Sequence, residues 1–277
     1  MRKEGGSALI TIKEYIKPRT IEEAYEELIK RKKNVIFGGG AFIRMGSRTI
    51  PTAIDLSDIG LDYIEEKEET IEIGAMTTLG DIEYSEILSY YYNNMLAKSV
   101  KEIVGIQLRN IVTIGATVYS RYGFSDPITG LLALDTQIKL YKQGNISLEK
   151  FLNEGPKEKD ILEKIIIKKD NRKATFLSMR NSKGDYAILN VAVSMYNHQF
   201  RIAVGARPGP ARLAYNAMEY LEKLNGNIDE KNILEVGKIA SEELVFGTNS
   251  RGSSLYRKQL ASTLVNRALM EVMGLEN

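Results

Sequence analysis

The period of apolar and polar positions changes several times along the chain, and each change predicts an element. Residues 9 to 16 alternate weakly and predict a strand, which Pro18 breaks. Thr20 caps the next helix. Glu22 and Glu23 fall in its first turn, where the helix dipole favours acids, and Ala24, Leu28 and Ile29 give it helical spacing. The basic run 30 to 33 closes the helix as a solvated end. Residues 34 to 37 are too apolar to face water on either side and predict a short buried strand; 52 to 56 predict another. Residues 63 to 66 and 70 to 73 form a hairpin pattern across an acidic tip. Thr78 caps a helical pattern that runs to about residue 104, with Tyr90, Tyr91 and Tyr92 as packing and surface positions.

Two stretches have an almost bare backbone. Gly38, Gly39 and Gly40 follow the buried strand directly, ahead of residues 41 to 45 with helical character. A strand-to-helix junction is where N–H groups can point at a phosphate, although a glycine-rich tight turn fits equally well. No Gly-Lys-Ser/Thr follows, and Ile43 stands where a dinucleotide fingerprint needs its third glycine. The second stretch is 107 to 136. There Arg109 and Asn110 make a polar turn, the β-branched run 111 to 114 suggests a strand, and Gly115 and Ala116 are nearly side-chain free. Ser125, Asp126 and Pro127 then start the apolar helix 128 to 134. A bare segment of this kind lets an anion approach the backbone. The two stretches are read as holding one ligand between them. Asp126 fits a binding role and an N-capping role about equally, and Arg109 reads as a loop anchor.

Strands follow at 139 to 141 and 145 to 148, then a polar turn segment at 155 to 160. The domain boundary is set shortly after it, because 161 to 168 can still return to the first sheet. Beyond 174 the pattern changes to three strands (174 to 179, 189 to 196, 200 to 205), a break at 207 to 210, and three helices (211 to 224, 230 to 243, 254 to about 273). That predicts a small antiparallel sheet with helices on one side.

Composition narrows the chemistry. The chain has 277 residues, 43% apolar and 27% charged, which supports one large or two modest globular domains. A net charge of +2 gives no support for nucleic acid or a membrane surface as partner. No stretch approaches a membrane span, and the N-terminus has no apolar run of signal length. There is no cysteine, so this chain offers no disulfide, thiolate metal site, Cys nucleophile or Cys-held iron–sulfur cluster. A cytoplasmic location is expected. The single histidine, His198, reads as a turn or edge-strand residue, which removes His-based triads and multi-His metal sites. No metal site is expected, and a cofactor must carry any chemistry.

The order and spacing of the motifs resemble the FAD-binding (medium) subunits of the molybdenum hydroxylases, of the xanthine dehydrogenase and aerobic carbon monoxide dehydrogenase type. The likeness covers nearly the whole chain. Residues 38 to 43 resemble a first flavin loop of the form Ala-Gly-Gly-Thr-Asp-Leu. Residues 109 to 117 resemble Arg-Asn-x-x-Thr-Ile-Gly-Gly-Asn, with Asp126 at the position of a following Asp. Residues 180 to 187 resemble an Arg-x-x-x-Asp segment beside the flavin ring, and 205 to 208, 256 to 260 and 266 to 269 resemble the C-terminal domain. The chain departs at Ala41-Phe42, where the family has Thr-Asp, and at Ala116-Thr117, where it has Gly-Asn.

The resemblance implies an α+β chain: a two-part FAD-binding domain of the PCMH (vanillyl-alcohol oxidase-like) type over 1–168, split at 55/56, then a small antiparallel sheet packed with helices over 169–277. It implies noncovalent FAD. Gly38, Gly39, Gly40 and Ala41 from one side, and Ile114, Gly115, Ala116 and Thr117 from the other, would offer N–H groups to the pyrophosphate, with Thr113 donating a hydroxyl nearby. Asp126 would accept from ribose or adenine. Tyr186 would lie against the flavin ring, with a core tyrosine as its alternative, and Asp185 would orient that segment or bond the flavin. Electrons would come from a separate iron–sulfur subunit, fed by a molybdenum-cofactor subunit in a hetero-oligomer, and pass to NAD or another acceptor. The altered loops keep two alternatives open: an FAD-free structural or assembly subunit, and a free-standing flavin oxidoreductase.

Overall fold

The computed structural model describes residues 10–275. Three sheets follow one another along the chain. The first is parallel, in the order β1 (Thr11–Ile16), β3 (Thr49–Asp55), β2 (Val35–Phe37), with α1 (Ile21–Lys30) crossing between β1 and β2. Thr20 caps α1 as predicted, its Oγ1 accepting from the Glu23 N–H at 3.2 Å. Ala24 and Leu28 bury the apolar stripe of α1 against Ile54 and Leu56.

The second sheet is antiparallel and five-stranded: β4 (Ile64–Glu66), β5 (Thr70–Gly74), β8 (Leu162–Lys168), β6 (Gln137–Leu140), β7 (Gly144–Ser147). Residues 161 to 168 do return to it, and β8 is its central strand. The third sheet has the order β12 (Arg212–Leu213), β11 (Gln199–Gly205), β10 (Leu189–Tyr196), β9 (Lys173–Met179), all antiparallel. His198 sits in the β10–β11 turn with φ 61°, as the sequence suggested.

Two expectations need correction. The helical pattern from 78 to 104 is not one helix. It splits into α2 (Leu79–Tyr84), α3 (Glu86–Tyr90), a 3₁₀ turn (Tyr92–Asn94) and α4 (Met95–Lys101). Ser85 interrupts it and caps α3, while Tyr92, Asn93 and Asn94 all take positive φ. Asparagine tolerates that region, and burial of Tyr92, whose hydroxyl donates to the Lys168 carbonyl at 2.7 Å, holds the third residue there. Secondly, the third sheet has helices on both faces. α9 (Tyr215–Lys223), α10 (Glu230–Glu243) and α11 (Ser254–Met273) cover Val191, Val193, Ile202 and Val204. On the opposite face lies α7 (Asp126–Ala133), against the small residues Ala192 and Ala203. That double cover explains why six consecutive residues of β10, from Leu189 to Ser194, are buried.

Candidate functional site

A cleft of about 410 Å³ lies where the three sheets meet, within the range usual for small-molecule sites. Gly38, Gly40, Ala41, Thr113, Gly115, Ala116, Thr117, Asp126, Asp185 and Tyr186 line it; Gly39 and Ile114 do not. The structure thus brings together three segments that are far apart in sequence.

The first loop is held by direct contact with the second. A Cβ on Gly39 would fall 1.6 Å from the Ile111 carbonyl oxygen, and one on Gly38 would fall 2.7 Å from Thr113 Oγ1 and 2.9 Å from the Ala116 methyl. Gly39 and Gly40 have φ +66° and +68°, a conformation that favours glycine. These glycines therefore serve loop-to-loop packing first. The segment after them is a single 3₁₀ turn (Ile43–Met45) rather than the expected helix. Among the described residues, the N–H groups of Gly40, Ala41 and Phe42 donate to no protein acceptor. The Gly38 and Gly39 N–H groups likewise donate to none, so the whole first loop carries unpaired donors.

The second loop differs from expectation. Instead of a strand ahead of a bare turn, the chain makes α5 (Ile106–Arg109), pairs Thr113 with Thr78 in one isolated bridge, and enters α6 (Ile114–Ser120) at once. Thr113 caps α6, its Oγ1 accepting from the Ala116 N–H at 3.3 Å. The Ile114 N–H donates to Thr77 O and the Gly115 N–H to Ala75 O, each at 2.9 Å. The Thr117 N–H donates to Thr113 O. The first turn of α6 therefore has no spare N–H, and residues 114 to 117 do not supply the second half of an anion clamp. Gly115 is small because a Cβ there would lie 2.5 Å from Ala75 O. β-branched residues favour strands in general; here the Thr113 cap wins locally. Arg109 anchors this loop as predicted. It is buried, with Nε donating to Glu83 at 2.6 Å and Nη1 to Ile103 O at 3.2 Å.

Asp126 does not cap α7; it is the first helical residue, and both its oxygens are engaged. Oδ2 accepts from Arg180 Nη2 and Oδ1 from Asn190 Nδ2. Burial pushes its pKa up, while Arg180 and Asn190 favour the charged form. Its first task is to tie α7 to β9 and β10. Arg180 in turn donates from Nη1 to the Asp185 carbonyl at 2.6 Å. The Asp185 carboxylate accepts from the Tyr186 N–H at 2.7 Å and from Arg251 Nη2 at 3.0 Å, and Arg251 holds its pKa below the usual carboxylate value. Arg251 also lies over the Tyr186 ring, 5.0 Å from its centroid. So Asp185 orients the Tyr186 segment.

Tyr186 is not a core tyrosine; it is 37% exposed at the cleft. It ends an aromatic wall that sequence reasoning missed. Phe124 lies 4.4 Å from Tyr186, Tyr122 stacks on Phe124 at 5.1 Å, and Phe42 lies 5.1 Å from Tyr122. The alternating aromatics of 122 to 124 were the available signal. At the other end the wall is aliphatic, formed by Leu28, Ile36, Leu56 and Ile161 beside Asn34 and Lys159. Lys159 Nζ donates to the carbonyls of Leu28, Arg31 and Asn34 at 3.0–3.2 Å, closing the C-terminus of α1. Burial lowers its pKa.

Unpaired donors, an aromatic end and an aliphatic end suit a long ligand with an anionic middle. Two buried polar groups of the cleft, Ser125 Oγ and Arg180 Nε, also have no partner among the described residues. The residues fit a flavin dinucleotide. Among the described residues no group of His, Asp and Glu is arranged for a metal ion, and no helix is long and apolar enough to cross a membrane.

Comparison with known proteins agrees. Residues 10–169 match the family model of the FAD binding domain in molybdopterin dehydrogenase, and residues 174–272 match that of the CO dehydrogenase flavoprotein C-terminal domain. The chain is 26% identical over 260 residues to the uncharacterized protein YgfM of Escherichia coli (strain K12), covering 92% of this chain and 94% of that one. It is 23% identical over 275 residues to the glyceraldehyde dehydrogenase medium chain of Sulfolobus acidocaldarius, covering 93% and 97%. A carbon monoxide dehydrogenase structure from Hydrogenophaga pseudoflava shares the fold, with a TM-score of 0.86 at 22% identity over 94% of this chain and 97% of that chain. This chain therefore belongs to the family of FAD-binding domains of the molybdopterin dehydrogenases, joined to a C-terminal domain of the CO dehydrogenase flavoprotein type.

Proposed function

We propose that this chain is the electron-transfer subunit of a molybdenum hydroxylase complex, taking electrons from a separate iron–sulfur subunit and passing them to NAD or another acceptor. The observation that carries the reading is the cleft itself, where unpaired N–H groups, an aromatic wall and residues 180 to 186 converge in a chain without cysteine. Iron–sulfur clusters and molybdenum must then sit on partner chains. Bound FAD would supply the exchange of one or two electrons.

The chain's own residues would bind and orient. Gly40, Ala41 and Phe42 would donate N–H groups to the pyrophosphate. Thr113 would donate its hydroxyl beside them, from the side where the α6 N–H groups are already engaged. Phe124 and Tyr186 would pack on the flavin ring. Asp126 would act mainly by holding Arg180. Binding is noncovalent, since there is no cysteine and His198 lies in a remote hairpin turn. The division of labour follows 1–168 and 169–277, and the complex would work in the cytoplasm, where a cysteine-free chain loses no disulfide.

A flavin-free assembly role is the second reading, favoured by the occupied N–H groups of α6. Reconstitution decides. The chain mixed with FAD and with a chemically reduced iron–sulfur partner should show bleaching of the flavin band on mixing. A flavin that stays oxidised beside the reduced partner would refute the electron-transfer role.

A further inference from the structure

The segment that joins β2 to β3 carries an unbalanced charge. Between Val35 and Ile54 there are two cations, Arg44 and Arg48, and no acid; Phe42 stands where the family has an Asp. Arg48 lines the cleft and Arg44 does not. Arg48 is exposed, and among the described residues its guanidinium meets no acceptor. The other charged groups that line the cleft are all engaged. Lys159 donates to three carbonyls, and Arg180 donates to Asp126 and to the Asp185 carbonyl. Asp185 is held by Arg251, and Asp160 accepts from the N–H groups of Lys142, Gln143 and Ile161. Arg48 is thus the uncompensated charge of the cleft, and its exposure leaves it within reach of a ligand.

A guanidinium without a counter-charge in a cleft calls for an anion, and its fork of donors suits two oxygens of one phosphate. Arg48 belongs to the same segment as the unpaired N–H groups of Gly40, Ala41 and Phe42. The Arg44 N–H donates to the Gly40 carbonyl, that of Met45 to Phe42 and that of Gly46 to Ile43, so residues 40 to 46 are wound into turns. At about 1.5–2 Å of rise per residue those turns span only about 9–12 Å, and Arg48 follows two residues later with a long side chain. One bound group can therefore meet the N–H groups at the start of the segment and the guanidinium from its end. We infer that Arg48 is a phosphate-binding residue: it pairs with the pyrophosphate whose other oxygens accept from the N–H groups of residues 40 to 42. This rests on the reading of the cleft as the FAD site, and it supplies from a side chain what the occupied first turn of α6 does not.

The test is equilibrium binding of FAD to the full-length apo chain at low and at high salt, followed by flavin fluorescence. Arg48→Gln should weaken binding about tenfold at low salt and flatten the salt dependence, because a screened charge pair has been removed. Arg44→Gln removes the same charge from the same segment outside the cleft, and should stay within about twofold of the wild type. Both arginines are exposed and neither donates from its side chain to the protein among the described residues, so neither change threatens the fold. Equal losses in the two variants would overturn the assignment, as would an unchanged affinity in Arg48→Gln or a loss there that keeps the wild-type salt dependence; FAD binding by the wild type would still leave the cleft reading intact. Failure of the wild-type chain to bind FAD at either salt would overturn both.

Discussion

Replacing Gly39 by alanine separates packing from ligand access. The added Cβ would stand 1.6 Å from the Ile111 carbonyl oxygen. Ordinary carbon–oxygen contact is about 3.3 Å, so the two loops would have to part by about 1.7 Å. Two costs add. Holding alanine at φ +66° costs about 1–2 kcal/mol, and forcing apart a packed contact costs about 1–3 kcal/mol more. Gly144 is the matched control, with φ +70° and nothing within 4 Å of where an added Cβ would stand. Gly144→Ala should carry the backbone cost alone, about 1–2 kcal/mol. The assay is urea unfolding of the apo chain, followed by circular dichroism with both slopes checked for equality. Gly39→Ala should lie about 1–3 kcal/mol below Gly144→Ala with no FAD present. Equal stabilities, together with lost FAD binding in Gly39→Ala only, would refute the packing argument and return Gly39 to a purely ligand-facing role.

Other substitutions probe the tie between the sheets and the site's supports. Asp126→Asn leaves Arg180 buried without its counter-charge and should destabilise the chain by about 3–5 kcal/mol; the double variant Asp126→Asn, Arg180→Met should recover much of that in the same denaturation assay. Arg251 depresses the Asp185 pKa, so the stability this contact contributes is present at neutral pH and lost as pH falls through the folded-state value. Arg251→Ala should move the Asp185 titration up toward the ordinary carboxylate range, read by carboxyl carbon NMR; an unmoved titration would show that Arg251 is not the cause. Lys159→Met removes three carbonyl contacts at the end of α1 and should speed amide exchange at residues 28 to 34 about tenfold or more, with the hairpin at 63 to 73 unchanged.

Much of the molecule was legible in the chain. The Thr20 and Thr78 caps, the hairpin across the acidic tip and the β10–β11 turn each follow from local chemistry, and local chemistry is what the sequence carries. The positions of both bare loops were also legible, because a run of glycines after a buried strand has few structural uses. What the glycines do was not. Gly39 and Gly115 face other backbone, Ile111 and Ala75, and such contacts are set by how distant segments meet. Thr113 read as a strand end through its β-branched neighbours, whereas one cap bond makes it the start of α6. The aromatic wall was hidden for a similar reason: Phe42, Tyr122, Phe124 and Tyr186 come from three segments that only the fold assembles. Asp126 offered two readings of a single carboxylate, and its partners Arg180, just past β9, and Asn190, in β10, supplied a third.

The central claim is that one noncovalent FAD lies in this cleft with its phosphates on the first loop. Backbone amide exchange of the apo chain, with and without saturating FAD, tests it directly. The expected result is stoichiometric flavin, released on denaturation, and slowed exchange at residues 40 to 42 and 180 to 186, with little change in the first turn of α6, where the N–H groups are already bonded. A chain that ignores excess FAD, or flavin that protects only segments outside the cleft, would contradict it.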